Sequence, residues 1–166
     1  MMKSNLNQKN KHFFFYSVVF VGILFIDQVS KWLAVQNLPL HENVPLTYFF
    51  NLFLTYNKGV SFSLFSNSSP YGPLLLSLMS FIISLGVLYW LVKEEDKTTK
   101  FGLLLIFSGA ISNIIDRVFL GHVVDFLDVY YNTYHWPAFN FADSFICLGA
   151  FIIFTRIFFN REKEQK

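Results

Sequence analysis

The residues best suited to chemistry lie between positions 121 and 144, "GHVVDFLDVYYNTYHWPAFNFADS", where Asp125, Asp128 and Asp143 stand between two apolar stretches. Two carboxyl groups held close together cannot both ionise easily, so they share a proton. The ionised member can then take a proton from water while the protonated member polarises a carbonyl group. Asp125 and Asp143 could therefore hydrolyse an amide bond, whereas we expect Asp128 to be a loop acid and Asp143 could in part be a helix N-cap.

Other catalytic chemistries find little support. His12, His41, His122 and His135 are scattered, without an HExxH pair or any i, i+4 spacing, which argues against a zinc site. The sequence contains no G-x-S-x-G motif, no S-x-x-K motif and no glycine loop that would hold a phosphate. We therefore expect neither a metal nor a cofactor. Cys147 lies in an apolar stretch, and we expect it to be a small core residue.

The composition indicates an integral membrane protein with one domain. Of the 166 residues, 54% are hydrophobic and only 14% are charged, compared with roughly 25% charged in a soluble domain. Phenylalanine occupies 22 positions, and lipid tolerates such a side chain on every face of a helix. The net charge of +2, without a long basic run, argues against binding of nucleic acid.

Apolar blocks long enough to cross a bilayer occur four times. We expect transmembrane helices over about 13–35, 74–92, 101–120 and 139–159. The connector "KEEDKTTK" between the second and third blocks is long enough only for a turn between antiparallel helices. The first block passes into "DQVSKWLA" without a small-residue cleavage site, so we treat it as a retained helix.

Basic residues distinguish the two sides of the membrane. They flank the side that carries both termini: Lys3, Lys9, Lys11, Lys93, Lys97, Lys100, Arg161, Lys163 and Lys166. The opposite loops, 36–73 and 121–138, contain only Lys58, so the positive-inside rule places both termini in the cytoplasm. Residues 46–65 are rich in threonine and aromatic side chains, which favours short strands. We therefore expect an all-α membrane protein with four transmembrane helices and a small extracytoplasmic, β-rich and aromatic subdomain between helices 1 and 2.

This topology brings Asp125 and Asp143 to one level, because the third helix ends just before Asp125 and the fourth begins just before Asp143. Asn113 and Arg117 are four apart on the third helix, share a face and could hold a substrate backbone or one of the aspartates. Asp116 is adjacent to Arg117 and must find another partner, which favours a supporting role.

Asp27 and Lys31 are also four apart, in the better order for an ion pair on a helix. They form either a pair that snorkels at the outer end of the first helix or a docking site for a polar partner. From the residues alone, a proton-coupled transporter that uses the acids as a relay, or an assembly factor held together by Asp and Arg, remains an alternative to a peptidase.

Considered together, the motifs resemble those of the bacterial lipoprotein signal peptidases (signal peptidase II). The matching segments are "DQVSKW" at 27–32, "NKGVSF" at 57–62, "SGAISNIIDR" at 108–117, "VVDF" at 123–126 and "FNFADS" at 139–144. Each is weak by itself, but five in order on a four-span chain are specific. The sequence departs from the family's pattern at Ser108 and Ser112, where glycine is common.

The resemblance implies that Asp125 and Asp143 are the catalytic pair of an aspartic endopeptidase. It also implies supporting residues: Asn57, Gly59, Asn113, Arg117, Asn140 and Ala142 would shape the site and hold the substrate, while Asp27, Lys31 and Asp116 would support structure or docking. The implied substrate is a diacylglyceryl-modified prolipoprotein, cut N-terminal to the lipidated cysteine in the cytoplasmic membrane. We expect a monomer that contacts membrane lipid and no nucleic acid.

Overall fold

The computed structural model describes residues 2–59 and 72–164, which contain four helices and four strands. The helices are α1 (Met2–Asn37), α2 (Gly72–Lys93), α3 (Lys97–Leu120) and α4 (Phe141–Glu164). The strands are β1 (Asn43–Thr47), β2 (Phe50–Asn57), β3 (Val123–Tyr131) and β4 (Tyr134–His135). Four segments are long and apolar enough to cross a membrane: Phe13–Asn37, Leu74–Lys93, Lys97–Leu120 and Phe141–Phe159. The four spanning helices expected from the sequence are therefore present.

Helix α3 is the centre of the bundle and contacts α1, α2 and α4. Its contact with α4 is close because small residues meet there: a Cβ atom on Gly102 would come within 2.8 Å of the carbonyl oxygen of Gly149. Gly109 likewise lies directly against the backbone of Ala142. Such small residues let membrane helices approach until their backbones touch. Cys147, which we expected in the core, is exposed on α4, since lipid accepts a small apolar side chain as readily as the protein interior does.

The strands form one antiparallel sheet in the order β1-β2-β3-β4. The sheet is not confined to the connection between α1 and α2, where we expected it, because β3 and β4 lie in the connection between α3 and α4. A two-stranded hairpin is marginally stable alone, and pairing with β3 supplies the third strand. The strands expected between 46 and 65 appear as part of β1 and as β2; residues 60–65 lie outside the described part of the chain.

A β-bulge on β3, opposite Phe139, determines which side chains of β3 face the helices. The backbone N–H groups of Phe126 and Leu127 both donate to the carbonyl oxygen of Phe139 (3.0 and 2.8 Å), so two residues of β3 oppose one residue. The β2–β3 register also shifts, but there the extra residue lies on β2, between Leu52 and Thr55. Phe126 and Leu127, although consecutive, therefore share one apolar cluster beneath the sheet. Asp125 precedes the bulge and is directed away from that cluster, towards the start of α4.

Replacing Gly109 with alanine is expected to lower the unfolding temperature in detergent. The added Cβ would meet the backbone of Ala142 and, at 2.9 Å, the side chain of Ile146. Overpacking of this kind typically costs about 1–3 kcal/mol. Gly86→Ala is the matched control, because a Cβ there meets nothing within 4 Å. Equal unfolding temperatures for the two variants would contradict a close contact between α3 and α4.

Candidate active site

Asp143 lies in the first turn of α4 in a reciprocal capping arrangement with Asn140. Asn140 directly precedes the helix, and its Oδ1 accepts a hydrogen bond from the backbone N–H of Asp143 (3.0 Å). In return, the backbone N–H of Asn140 donates to Oδ2 of Asp143 (3.2 Å). This capping box satisfies two donors at the helix end and holds the carboxylate at the positive end of the helix dipole. The N-cap is therefore Asn140, and Asp143 is its acidic partner.

Asp125 lies on β3 and is only 2% exposed. Each of its carboxylate oxygens accepts a hydrogen bond from a side-chain amide: Oδ1 from Asn140 (2.7 Å) and Oδ2 from Asn57 (2.9 Å). Burial raises the pKa of Asp125 to about 7; the charge of Asp143 also raises it, while the two amides act in the opposite direction. Asp125 can therefore keep a proton near neutral pH.

Two asparagines connect the carboxyl groups of Asp125 and Asp143. Nδ2 of Asn140, which donates to Asp125, also lies 3.2 Å from Oδ1 of Asn113. Nδ2 of Asn113 in turn donates to Oδ1 of Asp143 (2.8 Å). A continuous path of hydrogen bonds thus runs from β3 through α3 to α4, and it joins the two acids that the sequence placed at one level.

A buried lysine supports this path from α1. Lys31 is 3% exposed, and its Nζ lies 2.6 Å from Asp27 and 2.7 Å from Asp116. The same Nζ donates to Oδ1 of Asn113 (2.9 Å), so all three N–H donors of the ammonium group are used. Because Oδ1 of Asn113 receives Lys31, Nδ2 of Asn113 is left to face Asp143. Lys31 and Asp27 pair as expected from their spacing, but inside the protein and not at the membrane surface.

Asp27 also attaches α1 to the first turn of α4. Its Oδ1 accepts the backbone N–H of Ala142 (2.8 Å), and its Oδ2 accepts the hydroxyl of Ser112 (2.7 Å). Ser112 and Ser108, at positions where the resemblance led us to expect glycine, are both fully buried. The hydroxyl of Ser108 is satisfied by the carbonyl oxygen of Leu104 (2.6 Å), so the close packing of α3 accommodates both serines.

Gln28 belongs to this network, although the sequence analysis did not single it out. Its Nε2 donates to Oδ1 of Asp116 (2.8 Å) and to the hydroxyl of Ser112 (3.1 Å). Asp116 thereby finds the partners it lacked on its own helix. The available signal was a second polar side chain directly after Asp27 within an apolar span, where polar groups are costly without partners.

Arg117 faces the acids without pairing directly with one of them. Among the described residues no carboxylate forms an ion pair with it, and its Nη1 donates to the backbone oxygen of Asn113 (3.4 Å). Its guanidinium nevertheless interacts electrostatically with Asp143, Asp125 and Asp116, in that order of strength. The group therefore places a positive charge beside both carboxyl groups and keeps donors free for another molecule.

Gly59 fixes the orientation of Asn57. The backbone N–H of Gly59 donates to Oδ1 of Asn57 (2.8 Å), so that Nδ2 of Asn57 is directed at Asp125. Gly59 has φ +93°, a conformation that other residues rarely adopt, and an added Cβ would collide with the side chain of Leu76. Both constraints call for glycine at this position.

Asp128 is not the loop acid that we expected. It lies on β3, is 3% exposed, and its Oδ2 contacts Nδ2 of Asn51 (3.1 Å) and Nδ1 of His135 (2.8 Å). The ring of His135 stacks on Tyr130, which closes this part of the sheet. Asp128 therefore satisfies polar groups within the sheet, and its partners Asn51 and His135 lie outside the network of Asp125 and Asp143.

Comparisons with known proteins are consistent across sequence and structure. A lipoprotein signal peptidase of Polynucleobacter necessarius is 39% identical over 139 residues, which cover 83% of this chain and 85% of the relative. That of Francisella tularensis subsp. novicida is 38% identical over 151 residues, with coverage of 89% and 94%. A solved structure described as a bacterial membrane enzyme superposes with a TM-score of 0.77 at 25% identity, covering 89% of this chain and 90% of that one.

The family comparison covers the whole hydrogen-bonded cluster. The model of "Signal peptidase (SPase) II" matches residues 19–159, a range that includes both ends of the network, from Asp27 on α1 to Asp143 on α4. The match thus extends across all four spans. This chain belongs to the signal peptidase II family.

Proposed function

We propose that this chain is an aspartic endopeptidase that removes signal peptides from diacylglyceryl-modified prolipoproteins, cutting on the N-terminal side of the lipidated cysteine. Family membership makes the chain a membrane hydrolase that processes lipoproteins. The proposal adds the catalytic mechanism and the bond that is cleaved. The observation that carries it is the path of hydrogen bonds between Asp125 and Asp143 through Asn140 and Asn113.

The surroundings of the two acids assign different roles to them. Asp143 lies at a helix N-terminus and accepts hydrogen bonds on both oxygens, which stabilises its ionised form. Asp125 is buried on a strand, and its pKa is raised to about 7. We therefore assign the donated proton to Asp125 and the negative charge to Asp143 in the resting site.

With these roles the reaction proceeds through a tetrahedral intermediate. Asp143 takes a proton from water as the water oxygen attacks the scissile carbonyl carbon, and Asp125 gives its proton to the carbonyl oxygen. The resulting gem-diol collapses when the C–N bond breaks. The leaving nitrogen receives the proton from Asp143, one hydroxyl returns its proton to Asp125, and the site regains its starting state.

The remaining polar groups position the substrate and the acids. Arg117 keeps free donors beside both carboxyl groups and is suited to hold a substrate carbonyl. Asn57, whose orientation Gly59 fixes, holds Asp125 from the side of the sheet. The hydrogen-bonded path through Asn140 and Asn113 positions both acids. A buried frame stabilises these groups: Asp27, Lys31, Asp116 and the backbone of Ala142.

The site fits a cut at the end of a membrane helix. A signal peptide is helical in lipid, so its backbone is hydrogen-bonded and protected until it leaves the hydrocarbon. Asp116 lies near the C-terminal end of α3 and Asp143 at the start of α4, so the cluster lies at one end of the spans. With both termini in the cytoplasm, as the distribution of lysines predicts, that end is the extracytoplasmic face.

The proton-coupled transporter considered from the sequence is not favoured. The chain belongs to a peptidase family. A relay also needs acids spaced across the membrane, whereas the acids of the described spans, Asp27, Asp116 and Asp143, join the one cluster.

Asp125→Asn and Asp143→Asn are each expected to fold and to cleave a purified diacylglyceryl prolipoprotein about 10²–10⁴-fold more slowly, because an amide cannot exchange the proton. Asp128→Asn is the matched control: it makes the same change on β3 at an equally buried carboxyl group outside the cluster. This control variant should still cleave the substrate, even if its unfolding temperature is lower than that of the parent protein. Cleavage by either cluster variant at the rate of this control would refute the assignment.

The cleavage rate should decline as pH rises through about 7, because Asp125, whose pKa is raised to about 7, then loses the proton it donates. Since this pKa lies above the ordinary value of 3.8, the same ionisation lowers the stability of the fold as pH rises, not as it falls. Asn57→Leu removes an amide that lowers this pKa, so the midpoint of the decline should move to higher pH. An unchanged midpoint in initial rates measured against pH would show that another group sets it.

A further inference from the structure

A groove at the other end of the bundle takes no part in the proposed reaction. It has a volume of about 550 Å³. It is lined by Phe13, Tyr16, Leu91, Val92, Glu95, Lys97, Lys100 and Leu104, which come from α1, from the end of α2 with the connector that follows, and from α3. Asn113 of the catalytic cluster lies 16 residues beyond Lys97 on α3, a distance of about 24 Å along the helix. The groove is therefore separate from the site of Asp125 and Asp143.

The groove crosses the boundary between hydrocarbon and headgroups. Phe13 begins the first span, Lys97 begins the third, and Val92 lies directly before the end of the second at Lys93. The apolar walls thus lie within the spans, whereas the lysines lie at their ends. Long cationic side chains at this depth reach towards the polar interface.

Two of the three acids in the connector are engaged elsewhere. Asp96 accepts hydrogen bonds from Arg156 (2.8 and 3.2 Å) and from Thr99, which hold the pKa of its carboxyl group well below the usual range. Glu94 accepts the indole N–H of Trp90 (2.9 Å) and two backbone N–H groups of the connector. Neither carboxylate lines the groove.

The groove therefore keeps an excess of positive charge. Its described lining contains two lysines, Lys97 and Lys100, and a single acid, Glu95. Neither lysine forms an ion pair within the described part of the chain. Nζ of Lys100 donates to the carbonyl oxygen of Glu94 (2.9 Å), which fixes the ammonium at the mouth and leaves two donors free.

We propose that this groove binds an anionic phospholipid. The phosphate lies between Lys97 and Lys100, and an acyl chain follows the apolar wall formed by Phe13, Leu91 and Leu104. Basic pockets between membrane helices at the cytoplasmic end are suited to anionic headgroups. A soluble phosphate would leave the apolar wall unused, which is why the occupant is a lipid.

Native mass spectrometry of the purified protein in detergent tests this proposal, with dioleoylphosphatidylglycerol and dioleoylphosphatidylcholine as probes. We expect the anionic lipid to bind more tightly, and Lys97→Gln/Lys100→Gln to weaken its binding about tenfold. Lys11→Gln/Lys93→Gln is the matched control: it removes the same charge from exposed lysines outside the groove and should bind as the parent does.

Equal binding of the two lipids, or equal loss in both double variants, would overturn the proposal. Displacement of phosphatidylglycerol by glycerol 3-phosphate at matching concentrations would also overturn it, because the acyl chain would then contribute nothing. The readout is lipid binding and not cleavage, so the result does not depend on the catalytic assignment. An unfolding temperature for each variant establishes that the fold is intact.

Discussion

The structure depends on the ammonium group of Lys31, which is buried between Asp27 and Asp116. Three charges removed from water are tolerated only when each is paired, and leaving one of them unpaired would cost about 3–5 kcal/mol. Lys31 also donates to Asn113, and Asp27 accepts the backbone N–H of Ala142, so the Asp27–Lys31 pair joins α1 to α3 and to the start of α4. The helices that carry the acids cannot shift without breaking this pairing.

The charges of the polar frame also influence how many protons the carboxyl groups of the site bind. Four carboxyl groups, on Asp27, Asp116, Asp125 and Asp143, are clustered with two cations, Lys31 and Arg117. Full ionisation would leave a net charge of −2 in a poorly solvated region, and one bound proton reduces it to −1. The raised pKa of Asp125 follows mainly from its burial, which is why the proposed mechanism assigns the bound proton to this group.

The packing of the helices alone would not bring Asp125 and Asp143 into one cluster. The bulge at Phe126 and Leu127, opposite Phe139, lets both side chains share the apolar cluster beneath the sheet, while Asp125 is directed to Asn140. Helix α4 begins beside that strand because Asn140 caps it, and Gly109 allows the close approach of α3. Sheet, cap and helix packing thus meet at one point, which explains why a small β-subdomain accompanies a helical membrane protein.

The sequence by itself determined the four spans, the excess of basic residues on one side and the residue types able to share a proton, because hydropathy, charge and spacing are local properties. It predicted the pairing of Asp27 with Lys31 from their spacing of four, which the structure contains. It located β1 and β2 but not β3 and β4, and it gave no sign that Asp128 is buried or that Gln28 binds Ser112. Only the tertiary structure decided those points, because Gln28 and Ser112 lie 84 positions apart and a hydrogen bond between them depends on how α1 packs against α3.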